Sequence, residues 1–92
     1  MSGASLTLET DAEGRRWVRL AGEWRLMVLA PRYAALAAEL ATQAADPGLG
    51  WDIRGIRSLD SVGAMMLWRA WGHRFPDNLT TRDELEPVFA RL

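Results

Sequence analysis

The stretch Trp51-Asp52-Ile53-Arg54-Gly55-Ile56-Arg57-Ser58-Leu59-Asp60-Ser61-Val62-Gly63 decides how this chain folds. Trp51 to Ile56 is short, apolar and β-branched at Ile53 and Ile56, which favours a strand over a helix. Its apolar character predicts a central position in a sheet. Leu59 to Gly63 then turns the chain into a helix. Asp60 or Ser61 is placed to be the N-cap, because an oxygen there accepts from N–H groups that the first helical turn leaves without partners. Ala64, Leu67, Trp68 and Trp71 recur on one helical face, and Gly72 supplies the stop.

Working outward, Ser5 to Thr10 alternates apolar and polar residues, the period of a half-buried strand. Asp11-Ala12-Glu13-Gly14 reads as a turn, and Arg15 to Ala21 resumes the alternation, with Val18 and Leu20 on one side and Trp17 and Arg19 on the other. The two segments predict a β-hairpin. Gly22-Glu23-Trp24 breaks the pattern, and Leu26 to Ala30 is apolar but too short to assign by its period. Pro31 suits a first helical residue, where a missing N–H costs nothing. Tyr33, Leu36, Ala37, Leu40 and Ala44 then share a helical face, ended by Asp46-Pro47-Gly48. Beyond Gly72, Phe75 to Asn78 is a loop and Leu79-Thr80 a short strand. Thr81-Arg82-Asp83-Glu84 has the spacing of a capping box for a last helix carrying Leu85, Val88, Phe89 and Leu92 on one face. Pro87 would interrupt that helix, so a start near Glu86 is the alternative. The order β-β-α-β-α-β-α requires at least one parallel strand pair joined by a helix.

Composition narrows function. Ninety-two residues leave room for one domain. The 11 basic and 12 acidic residues give a net charge of −1, which argues against a nucleic-acid binder and against a polybasic lipid patch. Every basic residue is arginine, so lysine Schiff-base chemistry and the lysine-ended phosphate loop are absent. There is no cysteine, hence no disulfide, thiolate metal site or cysteine nucleophile. No apolar run reaches the roughly 20 residues that span a bilayer, and Met1 to Ala4 has neither the basic nor the apolar region of a secretory leader. A cytoplasmic location is expected. Five tryptophans in so short a chain predict a core-filling role, with some free to mark a docking surface.

Few residues suggest catalysis. His73, the single histidine, follows a helix end and reads as structural. Asp52 and Asp60 flank the central strand, but nothing in their spacing demands an acid/base pair. Asp83, Glu84 and Glu86 suit the first turn of a helix. Gly48-Leu49-Gly50 precedes a strand rather than following one, so it lacks the mechanics of a phosphate cradle. No cofactor and no metal site is expected. Asp60-Ser61-Val62-Gly63 remains: a capped helix start with Gly63 allowing close packing on the sheet, or an exposed helix start able to carry a phosphate on serine. Met65, Met66 and Arg69 lie beside it. They form either an adaptable surface for a protein partner or a pair in which one methionine is core.

These residues resemble a known family. Trp51 to Ile56 followed by Leu59-Asp60-Ser61-Val62-Gly63-Ala64 is similar to the signature of STAS domains (sulfate transporter and anti-sigma factor antagonist), and Leu20 to Trp24 and Ala30-Pro31 resemble their counterparts. Asp60 to Gly72 and Glu86 to Leu92 look most like the N-terminal STAS-like domain of bacterial ABC-transporter permeases of the lipid-asymmetry and toluene-tolerance type. The resemblance implies an α/β fold with a mixed four-stranded sheet and about three helices. It implies that residues 1–92 are the N-terminal domain of a longer permease at the cytoplasmic face of the inner membrane. The implied partner is the transporter's ATPase subunit, with no nucleic acid, no insertion of this segment into the membrane and no catalysis. The alternative is a stand-alone anti-sigma factor antagonist binding an anti-sigma factor. In those antagonists the phosphorylated serine stands immediately before the motif glycine; here that residue is Val62, which has no hydroxyl. Ser61 is the remaining candidate phosphoacceptor, and its hydroxyl reads rather as a cap or an interface contact. The expected docking surface is Asp60, Ser61, Val62, Gly63, Met65, Met66 and Arg69, and Ser61→Asp or Met66→Glu is expected to weaken binding without disturbing the fold.

Overall fold

Residues 3–92 are described by a computed structural model; Met1 and Ser2, which open the stretch read as lacking a leader, lie outside the described residues. The expected hairpin forms from β1 (Ser5–Thr10) and β2 (Arg16–Trp24), antiparallel, with Leu6 opposite Leu20 and Leu8 opposite Val18. Asp11 closes the turn. Its carboxylate accepts the backbone N–H groups of Glu13 at 3.0 Å and Arg15 at 2.9 Å, and Gly14 takes the positive φ of 82° that the turn requires. β2 does not stop at Gly22. Register shifts between Arg19 and Ala21 and between Gly22 and Glu23 carry it through as bulges to Trp24.

The unassigned apolar run is a single helical turn, α1 (Leu26–Leu29), tightened by a 3-10 turn at Ala30–Arg32 that holds Pro31. The regular helix α2 (Tyr33–Ala44) therefore starts just after the proline. Its predicted face is the one it buries: Leu36 and Leu40 enter the core, and Tyr33 and Ala44 pack against it. β3 (Gly50–Leu59) runs to Leu59, past the expected end at Ile56, because its parallel pairing with β2 continues to Trp24 opposite Leu59. α3 (Ser61–Ala70) follows at once. β4 (Leu79–Thr80) lies parallel on the other side of β3, so β3 is central and the sheet order is β1-β2-β3-β4.

The capping box at Thr81 does not form. Arg82 precedes a 3-10 turn at Asp83–Leu85 without a side-chain cap, and α4 (Glu86–Ala90) carries Pro87 in its first turn, where its ring is tolerated. Leu85, Val88 and Phe89 are buried, whereas Leu92 is exposed and outside the core.

Val18, Leu20, Ile53 and Ile56 pack from the sheet against Leu36, Leu40 and Leu67 from the helices. Trp24, Trp51 and Trp71 are core residues, and Trp17 and Trp68 are half-buried. The opposite sheet face is polar and carries Thr7, Glu9, Arg19 and Arg54 in exposed positions.

Candidate functional site

The end of β3 delivers Asp60 to the start of α3. Its backbone N–H donates to the Trp24 carbonyl at 3.3 Å, extending the β2–β3 pairing by one step. Its backbone is extended, as an N-cap requires, and Oδ1 accepts the Gly63 N–H at 2.9 Å. Asp60, rather than Ser61, is therefore the cap. Oδ2 accepts the backbone N–H of Leu26 at 2.8 Å. One carboxylate thus ties the first turn of α1 to the first turn of α3.

Gly63 makes this junction possible. A Cβ at that position would lie 2.1 Å from the Trp24 carbonyl oxygen and 3.0 Å from the Leu59 side chain. Only a residue without a side chain lets α3 come down onto the end of β2. Trp24, fully buried with its indole N–H on the Ala21 carbonyl at 3.0 Å, fixes that end.

The expected surface residues divide. Ser61 and Arg69 are exposed, and Val62 and Met65 are half-buried. Gly63 is buried and Met66 is only 2% exposed, inside the core. This corrects the expectation that Met66→Glu would spare the fold: consecutive residues of a helix sit about 100° apart, and Met66 turns inward with Leu67 while Met65 stays at the rim. Trp68, expected on the buried face, lies at its border. It stacks on His73 at 6.4 Å and meets Phe75 edge-on at 5.0 Å.

Two residues of the surface are absent from the sequence reading. Leu26 is 49% exposed and Met27 82% exposed, next to the α3 start to which Asp60 holds them. Their only sequence signal was an apolar run too short to carry a period. The assembled surface is Leu26 and Met27 beside Ser61, Val62 and Met65, with Arg69 farther along α3. No hydrogen bond of the Ser61 hydroxyl occurs among the described residues.

The other chemistry-bearing residues lie elsewhere. Asp52 is 6% exposed, on the polar sheet face. It takes a two-point contact from Arg54, Nε at 3.0 Å and Nη2 at 2.9 Å, with Arg19 at 3.7 Å. The Arg54 hydrogen bonds hold its carboxyl below the ordinary aspartate range against the opposing effect of burial. Asp52 and Asp60 are eight strand positions apart, roughly 25 Å, so they form no acid/base pair. His73 adopts a positive φ of 62° after Gly72 at 74°, and its N–H closes the end of α3 on the Trp68 carbonyl at 2.9 Å. That is the structural role the sequence predicted. Gly50 is the seat of the Trp17 ring, 2.6 Å from where a Cβ would stand. Among the described residues no helix is long and apolar enough to cross a membrane.

No family model matches the chain, and no curated protein matches it. Among solved structures it is similar to the crystal structure of an anti-sigma factor antagonist from Mycobacterium paratuberculosis. The two are 26% identical with a TM-score of 0.61, over 97% of this chain and 74% of that one. The mixed sheet packed on its helices is a STAS-like α/β fold, similar to that of this antagonist.

Proposed function

We propose that this chain is a non-catalytic regulatory module that docks on an anti-sigma factor through the surface where α1 meets the start of α3. The observation that carries the reading is the exposed pair Leu26 and Met27, held at the capped start of α3 by the Asp60 carboxylate. A flexible methionine and a leucine presented on a braced turn suit an adaptable protein contact. The likeness to an anti-sigma factor antagonist supports the class of partner. In this reading Asp60 and Gly63 build the surface and Ser61, Val62, Met65 and Arg69 contact the partner. The buried Met66 supports them from beneath. Ser61 acts as a contact rather than a phosphoacceptor.

A second reading follows from Val62. A residue without a hydroxyl before the motif glycine fits the N-terminal domain of a lipid-transport permease, docking on the transporter's ATPase subunit at the inner membrane. Calorimetric titration of the purified chain against kinase-like anti-sigma factors and transporter ATPase subunits of the same genome separates the two. The expected result is binding to an anti-sigma factor with a Kd of about 10 μM or tighter. Met27→Glu should weaken it at least about tenfold with an unchanged circular dichroism spectrum. Binding to an ATPase subunit alone would establish the second reading. Loss of neither partner's binding in Met27→Glu would remove this surface from both.

A further inference from the structure

The two edges of the sheet differ. β4 is two residues long, a short edge that offers little to pair with. β1 is six residues long, pairs with β2 in an unbroken register and has no strand paired on its outer side among the described residues. It contains no lysine, no proline and no bulge, the usual devices that keep an edge from pairing.

The phase of its hydrogen bonds identifies the free groups. Asp11 N–H donates to the Arg15 carbonyl at 2.9 Å. In an antiparallel ladder bonded pairs alternate with unbonded ones, so Glu9, Thr7 and Ser5 are bonded to β2. Leu6, Leu8 and Thr10 therefore point their N–H and C=O groups outward. The same leucines have their side chains on the helix-facing side, opposite the buried Leu20 and Val18. Leu6 packs against the core, but Leu8, one step farther along, is 58% exposed.

We propose that β1 pairs antiparallel with β1 of a second copy of this chain, about a two-fold axis through Thr7. Leu6 then stands opposite Leu8 of the second copy, and Leu8 opposite its Leu6. The free backbone groups of each leucine bond to the other, and four leucine side chains meet on the helix-facing side. On the polar side Thr7 meets Thr7, and Ser5 meets Glu9, a hydroxyl facing a carboxylate. No like charges oppose. A register shifted by four residues, with its axis through Glu9, would set Glu9 against Glu9 and is disfavoured. An odd shift would send the two helix layers to opposite faces and separate the leucines. The product is one continuous sheet made from two four-stranded ones.

A single strand pair buries less than the roughly 1,000 Å² of a tight complex, so the dimer is weak and concentration-dependent. Sedimentation velocity across about 10 μM to 1 mM tests it on three proteins: the wild type, Leu8→Lys and Met27→Glu. Leu8 is exposed, so lysine there spares the fold, which a thermal melt checks. The wild type and Met27→Glu should move toward the mass of two copies as concentration rises, while Leu8→Lys stays monomeric. A wild type monomeric throughout, or a dimer that survives Leu8→Lys, would overturn the proposal.

Discussion

Met65 and Met66 are adjacent in sequence and alike in chemistry, yet they sit on opposite sides of the boundary that gives α3 its two uses. Met66 is in the core with Ala64 and Leu67, while Met65 shares the outer side with Ser61, Val62 and Arg69. The inner side positions the helix, through Gly63 against the Trp24 carbonyl and Trp71 edge-on to Trp51 at 5.7 Å. The outer side carries the exposed Ser61 and Arg69 and the half-buried Val62 and Met65, which we propose contact the partner. In the proposed reading the docking surface depends on the inner side for its shape and on the outer side for its contacts, so the two sides should respond to substitution in different ways.

The largest effect is expected from Met66→Glu, which buries an unpaired carboxylate. A loss of about 4 kcal/mol or more leaves so small a domain largely unfolded, visible as loss of the cooperative thermal transition. A folded, cooperative Met66→Glu would erase the distinction between the two sides. Gly63→Ala comes next, at about 3 kcal/mol, because its methyl meets backbone rather than a side chain that can move away. Denaturant titration should show the midpoint fall with little change in slope. Asp60→Ala removes the acceptor of two backbone N–H groups and should cost about 1–2 kcal/mol. It should also speed hydrogen exchange at Leu26 N–H, a readout that a cap acting on α3 alone would leave unchanged. The smallest effect on stability belongs to Met65→Glu, within about 0.5 kcal/mol, although partner binding should drop.

The polar sheet face supplies a pH test. Asp52 is held below its ordinary range in the folded chain, chiefly by Arg54. Its contribution is therefore complete above the unfolded value, about pH 4, and is lost as pH falls through the lower folded value. Asp52→Asn lacks that contribution, so the gap in melting temperature between it and the wild type should be present at pH 7 and narrow toward pH 3. A gap that widens on acidification would mean that Asp52 folds better protonated.

The alternation of β1 and β2, the buried face of α2, the central β3 and the capped start of α3 are legible in the residues alone, because each is written in a local period or a local cap. The sequence also offered close packing at Gly63 as one of two readings of the α3 start, which the structure selects, and it placed the end of α3 at Gly72. Tertiary structure alone decided three things. The sheet's bulges carried β2 to Trp24, so β3 ran on to Leu59. Packing chose Met66 over Met65 for the core, a choice that a helical period places only to within a residue when neighbours are both apolar. The Asp60 carboxylate reached across from α3 to Leu26, 34 residues earlier, and so brought Leu26 and Met27 into the surface. Local chemistry fixes which residues make strands and helices, but a contact between distant residues exists only once the sheet has set its ends side by side.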